Sequence, residues 1–307
     1  MPNPSSPRPT PQGRGGLLRE AVDESTIAIV GAPFALAAKL IEREGFAAVY
    51  LSGAAFSAGA LGIPDIGLFT LDQLVEQTRV LARSVAIPLV VDADTGFGGP
   101  KEVADCVLKL EAAGAAAIQL EDQQSAAKRC GHLAGKQLIS ETEMCEKIAA
   151  AAAARRDPST VIIGRTDARG VTDLDDCLRR LHAYRDAGAD WLFPEGLRSR
   201  DEFQQIGREF ASLATPLLAN MTEFGVSPLV PLEDLSAMGF SAALYPVTLM
   251  RIAMKAMEAG LGMIADEGTQ ESLLDLMQTR EELYDLLDYD PARPDDWLVK
   301  HSEGNPS

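Results

Sequence analysis

Eight short, almost uninterrupted apolar runs recur along the chain, each followed by a longer amphipathic stretch. This alternation limits the architecture more than any other feature. The runs are TIAIVG (26–31), AAVYLSG (47–53), IPLVVDAD (87–94), AAAIQLED (115–122), TVIIGRTDA (160–168), DWLFPE (190–195), TPLLAN (215–220) and AALYP (242–246). Apolar character without alternation is what strands covered on both faces require, and such strands belong to parallel sheets. The intervening stretches read as helices. TLDQLVEQTRVLARS (70–84) opens with Thr70 and Gln73, and SETEMCEKIAAAAAARR (140–156) with Ser140 and Glu143, each a capping box. Gly45, Gly114, Gly188 and Gly239 stand where helices give way to strands and suit the left-handed residue that closes a helix. Eight such units predict an α/β fold, a (β/α)₈ barrel of the TIM type. A doubly wound open sheet needs a glycine-rich phosphate turn after its first strand, and GAPFAL (31–36) is not one. The chain continues past the eighth run with helical patterns over LMRIAMKAMEAGLGMIADEG and TQESLLDLMQTREELYDLLDYD, surplus to a barrel. The expected organisation is a Pro-rich tail at 1–16, one barrel domain with its extra helices at 17–290, and a second tail at 291–307.

Composition narrows the class of function. A net charge of −17 disfavours a nucleic-acid partner, which needs a basic face. No apolar run approaches the roughly 18 residues of a membrane span, so no membrane partner is expected. The start, MPNPSSPRPTPQGRGG, lacks the apolar segment of a signal peptide. Cysteines at 106, 130, 145 and 177 form no CxxC pair, which points to free thiols in a reducing compartment, the cytoplasm.

Polar residues collect where the runs end, and in a barrel those strand ends form the active face. They are Tyr50, Ser52 and Gly53; Asp92 and Asp94; Glu121 and Asp122; Arg165 and Asp167; Glu195; Asn220 and Thr222; and Tyr245. Asp92 and Asp94 are two apart on a strand and so face one side. Their oxygens suit Mg²⁺ or Mn²⁺ better than zinc, with Glu121 and Asp122 near enough to complete a sparse shell. The alternative is that the aspartates cap the helix that follows Gly98. Backbone amides of Ser52, Gly53 and Ala54 are candidates for holding a carboxylate, the alternative being a tight turn. Arg165 is placed to grip a substrate carboxylate in bidentate fashion, or to pair internally with Glu195 or Asp167.

The stretch AAKRCGHLAGK (126–136) sets Cys130 and His132 between Lys128, Arg129 and Lys136, with glycines at 131 and 135. Flanking cations predict a lowered thiol pKa. A zinc site is not completed, because His182 and His301 lie elsewhere. The glycines fit a loop that closes over the site, with Cys130 as a general acid or base.

AKRCGHLAGK, VVDADTGFGG, YLSGAAFSAGALGIPD, GRTDARG, LFPE, LANMTEFG, ALYP and MQTREELY together resemble the isocitrate lyase and phosphoenolpyruvate mutase superfamily, from about Leu18 to Tyr289. The likeness is strongest to the branch that cleaves 2-methylisocitrate to pyruvate and succinate in propionate breakdown. It implies a Mg²⁺-dependent retro-aldol lyase, with Mn²⁺ as a substitute, a small tricarboxylic substrate and a homotetramer. By that resemblance Asp92 and Asp94 hold the metal, with Asp65 and Glu121 behind them. Ser52, Gly53, Ala54 and Arg165 bind the pyruvate half. Cys130, on a gating loop with Gly131 and supported by His132, protonates the succinate carbanion, and Tyr50 is the candidate base. Glu195, Asn220, Thr222, Arg251 and Arg280 match substrate-contacting positions. Phe193, Leu244 and Pro246 match the residues that leave room for the extra methyl group. The alternatives are a sister lyase acting on a dialkylmalate or another 2-hydroxydiacid, and a non-catalytic barrel that binds a metabolite. Ala54 and the HLAGK sequence depart from the pattern of many enteric members.

Overall fold

The computed structural model describes residues 13–297. Of the expected tails at 1–16 and 291–307, residues 1–12 and 298–307 lie outside the described residues. Each of the eight apolar runs contains a strand: β1 (Ile27–Gly31), β2 (Ala48–Leu51), β3 (Leu89–Asp92), β4 (Ala117–Glu121), β5 (Val161–Thr166), β6 (Trp191–Pro194), β7 (Leu218–Asn220) and β8 (Ala242–Tyr245). All are parallel, in the order β6-β5-β4-β3-β2-β1-β8-β7. A parallel bridge between Leu192 and Leu217 brings the two ends together, and the Leu192 N–H donates to the Pro216 carbonyl at 3.0 Å. The expected (β/α)₈ barrel is therefore the observed fold, and the open-sheet alternative falls.

Register explains how one chain fills two cores. Ile27, Ile29, Ala48, Tyr50, Val90, Ala117, Val161, Ile163, Trp191, Phe193, Leu218, Ala242 and Leu244 pack together inside the barrel. Their strand neighbours, such as Val49, Val91, Ile118, Ile162 and Leu192, pack outward against the helices. Alternation is thus present in direction but invisible in polarity, because both faces are apolar. The helices Leu71–Ser84 and Glu141–Ala154 begin with the expected capping boxes. Gly45, Gly114, Gly188 and Gly239 all have positive φ, as helix closure requires.

The N-terminal boundary needs a correction. Residues 14–16, assigned to a tail, open the helix Arg14–Glu24. Arg14 is buried and donates to the carbonyls of Ala82 at 2.6 Å and Val85 at 2.8 Å. Leu18 is fully buried and joins the interior layer. This helix stoppers the end of the barrel opposite the strand C-termini. Gly15 has no room for a side chain, since a Cβ there would lie 2.5 Å from the Ser159 carbonyl carbon.

The described residues form two compact units, divided between Leu249 and Met250. In the second, Arg280–Leu286 is a helix, Glu271–Leu276 a 3₁₀ turn, and Leu273 and Leu286 are buried. Most of the helix Thr248–Glu267 belongs to it and contains no buried residue. No helix among the described residues is long and apolar enough to cross a membrane.

Candidate active site

Inward direction carries on past the apolar layer. Two residues beyond Tyr50, Val90, Ala117, Ile163, Phe193, Leu218 and Leu244 come Ser52, Asp92, Gln119, Arg165, Glu195, Asn220 and Pro246. The polar ring at the mouth is the next storey of the packed interior, which is why these side chains converge. Phe193 and Leu244 form its floor, and the Arg165 guanidinium lies 5.2 Å over the Phe193 ring. Pro246 is buried beside Gly31.

On one side stands a carboxylate group. Asp94 has φ of 55° and its N–H donates to Asp92 Oδ1 at 3.1 Å. Glu121 is buried, and its Oε1, like Asp94 Oδ1, has no hydrogen-bond partner. Burial, helped by the negative Asp92 and opposed by Lys128, pushes Asp94 up to about 6. Lys128 reaches back from the loop after β4, with Nζ 2.5 Å from Asp65 and 3.1 Å from Asp94 Oδ2. The aspartates do not cap the next helix: it starts at Pro100, and Glu102 accepts from the Gly99 N–H at 2.9 Å.

This donor set fits a hard divalent cation. It is all oxygen, it is acidic, and two of its buried oxygens lack partners. Among the described residues no cluster of three or more His, Cys, Asp or Glu side chains surrounds a metal position. A cation here would keep water or substrate ligands, as Mg²⁺ does and structural zinc does not.

Asp122 was grouped with these carboxylates and does not join them. It faces outward, where it accepts from Thr166 Oγ1 at 2.6 Å, the Asp167 N–H at 2.9 Å, Tyr184 at 2.6 Å and Arg180 at 3.2 Å. Being next to an inward residue on a strand, it must point the other way. Gln119, which sequence reasoning missed, takes an inward place instead. It accepts from Tyr50 Oη at 2.7 Å and donates to Asp92 Oδ1 at 3.2 Å. Its position two residues before Glu121 was the available signal.

Tyr50 is not arranged as a base. Burial, then the nearby Asp92, push its phenol well above the ordinary range, and its proton is directed at Gln119. It orients Gln119 and, through it, Asp92. The Gly53 N–H donates to Asp92 Oδ2 at 3.2 Å, so that amide is directed at a carboxylate of the chain itself. Ser52 Oγ accepts from the Ala55 N–H at 3.2 Å and caps a short helix, Gly53–Ala55, which runs into a π-helix over Phe56–Ala60. Ala54 lies inside that short helix.

Across the mouth, Arg165 is ringed by acids. It makes a two-point contact with Asp167 at 3.0 and 3.1 Å, and lies 3.3 Å from Glu195 and 3.4 Å from Glu121. The internal pairs anticipated for it exist. Glu195 also accepts from Asn220 Nδ2 at 3.0 Å, and Asn220 Oδ1 accepts from the Thr222 N–H at 3.1 Å. Burial alone raises Glu195, but Arg165, His132 and Asn220 together hold it well below the usual carboxylate range.

The loop after β4 lies folded over this ring. Gln123 bridges to Leu138 at its base and holds the Arg129 backbone by two bonds of 3.0 Å. Lys136 pairs with Asp167 at 2.6 Å and with the Gly131 carbonyl. Gly131 fits against Arg165 and Glu195, where a Cβ would lie 3.0 Å from Glu195 Cγ. The polar side chains that flank Cys130 in sequence therefore do not converge on its sulfur: Lys128, Lys136 and His132 engage Asp65, Asp167 and Glu195, and Arg129 is exposed. Charges adjacent in sequence have turned to opposite partners, and the thiol, half-buried, is left between them. Arg251 and Arg280 belong to the second unit, and both are exposed.

Residues 23–265 match the family model of phosphoenolpyruvate phosphomutase. The chain belongs to that family, within the superfamily it shares with isocitrate lyase. The 2-methylisocitrate lyase of Aeropyrum pernix is 46% identical to it over 91% of this chain and 89% of that protein. Among solved structures of the superfamily, a 2,3-dimethylmalate lyase superposes with a TM-score of 0.85 at 33% identity, covering 97% of both chains. A phosphonopyruvate hydrolase holding oxalate and Mg²⁺ gives 0.81 at 27% identity, over 95% of this chain and 98% of that one. A phosphomutase-family member thus explains the fold expected from the resemblance and the acidic mouth together.

Proposed function

We propose that the protein is a carbon–carbon lyase that cleaves 2-methylisocitrate to pyruvate and succinate. The observation that carries the reading is the 46% identity, over nearly the whole length, to a lyase named for that substrate. Likeness to the dimethylmalate lyase is lower, at 33%.

Asp92 and Asp94 would hold Mg²⁺, or Mn²⁺ in its place, with Glu121 and Asp65 behind them. When bound, the cation supplies a Lewis acid for the carboxylate and forming keto group of the pyruvate half. Ser52, Gly53, Ala54 and Arg165 bind that half, while Glu195, Asn220 and Thr222 lie toward the other. The bond that breaks joins the carbinol carbon to the carbon beside the succinyl carboxylate. Its electron pair stays on the succinyl carbon as the hydroxyl proton passes to a carboxylate of the mouth and the oxygen becomes the ketone; that proton returns through solvent to the Cys130 sulfur once the products leave. Cys130, brought over the ring by the lid, gives its S–H proton to that carbon. No electron enters or leaves. The closed loop keeps water from reaching the carbanion first. Phe193, Leu244 and Pro246 form the wall against the extra methyl, and such a wall discriminates by about 10- to 200-fold. The exposed apolar residues of the helix Thr248–Glu267 support a homotetramer, and free thiols support a reducing, cytoplasmic setting.

Pyruvate release from 2-methylisocitrate, isocitrate and 2,3-dimethylmalate, with Mg²⁺ and with EDTA, tests the reading. Turnover of 2-methylisocitrate should lead and should vanish on chelation. A preference for dimethylmalate of about a hundredfold, a ratio of the size a pocket can set, would replace this assignment by the sister lyase.

A further inference from the structure

His132 does not rest on Glu195 alone. Its Nδ1 accepts the backbone N–H of Val226 at 3.1 Å, from the segment that follows β7. Nδ1 therefore carries no proton, and the ring hydrogen sits on Nε2, which lies 2.9 Å from Glu195 Oε1 and 3.4 Å from Asn220 Nδ2. The residue before Val226 is a glycine, and the imidazole lies against it. A Cβ at Gly225 would overlap Nδ1 and stand 2.8 Å from both Cε1 and Cγ. Gly225 is not among the glycines with positive φ, so its own backbone conformation does not demand glycine. The imidazole does. His132 is two residues from Cys130, and the Leu133 N–H donates to the Cys130 carbonyl at 2.9 Å, so ring and thiol share one tight turn.

We propose that Gly225 and the Val226 amide form the landing plate of the lid, and that Gly225 is a positioning residue. Glycine gives the His132 ring room to descend, the amide fixes its tautomer, and the seated ring places Cys130 over the substrate. The inference rests on the reading of residues 123–139 as a lid.

Alkylation of Cys130 by iodoacetamide in the intact enzyme, followed by peptide mass spectrometry, reports lid position apart from turnover. Cys106 and Cys177 are buried, with Cys106 pushed up to about 12 and Cys177 higher still, chiefly by burial, so neither competes. Mg²⁺, pyruvate and succinate together should slow alkylation of the parent about tenfold by favouring the closed state. Gly225→Ala should lose this protection and most of kcat. Gly225→Ala combined with His132→Ala should regain protection, because the added methyl then has space, though not full activity. Gly16→Ala, where a Cβ meets nothing within 4 Å, serves as the neutral comparison. A fully protected and active Gly225→Ala would overturn the proposal, as would a double variant that stays unprotected. If the parent shows no protection, the lid reading itself falls and the landing plate with it.

Discussion

Glu195 shows how a single side chain can be both expensive to bury and necessary. It is fully buried, yet Arg165, His132 and Asn220 keep it ionised. Glu195→Gln leaves the shape intact and removes the charge that balances Arg165. Breaking a buried pair from one side should lower stability by about 3–5 kcal/mol near neutrality. The folded pKa is depressed, so this stabilisation is complete above the ordinary value of 4.5 and is lost as pH falls through the lower folded value. Thermal unfolding of parent and variant from neutral pH into the acid range should show the gap narrowing as pH drops below that ordinary value. An unchanging gap would mean that packing, not charge, is what the substitution disturbs. Neighbouring residues also mark where sequence reasoning stops. Asp92, Arg165 and Glu195 were legible because strand ends in a barrel face inward. Asp122 was not, because Glu121 and Asp122 differ only in parity, and a run apolar on both faces gives no parity to read. The direction of Lys128 and Lys136 was illegible for another reason: their partners, Asp65 and Asp167, are distant in sequence and become close only on folding.

Secondary structure was the most legible level, since its determinants are local. The box at Ser140 is an example: Ser140 Oγ accepts the Glu143 N–H at 3.2 Å, and Glu143 Oε2 accepts the Ser140 N–H at 3.0 Å. Ser140→Ala should cost about 1 kcal/mol in denaturant unfolding, with catalysis unchanged, because the helix it starts lies behind the lid and not in the ring. A loss of activity without loss of stability would mean that the cap also anchors the lid hinge. The helix Arg14–Glu24 was missed because RGGLLREAVDE has two glycines in its first turn and no capping side chain. Its position is fixed by tertiary contacts: Arg14 on the Ala82 and Val85 carbonyls, and Leu18 in the barrel floor. Propensity could not reveal it.

For the molecule entire, the unbalanced feature is the helix Thr248–Glu267. Ile252, Met254, Met257, Leu261 and Ile264 are between 44% and 68% exposed along it, more apolar surface than a helix leaves to water without a partner. Leu261→Glu should shift the protein to a smaller species in light scattering while the barrel keeps its circular dichroism. An unchanged mass would overturn the reading of this helix as a subunit contact. The surplus helices were legible in the sequence but their exposure was not, because it depends on which apolar faces find a partner.

The stopper formed by Leu18 and Arg14 has a kinetic corollary. A barrel plugged below has a single doorway, and the loop carrying Cys130 crosses it. On the proposed reaction, reactant and both fragments would use the same passage in turn. Traffic through that doorway, rather than bond scission, is then the natural place for a ceiling on turnover.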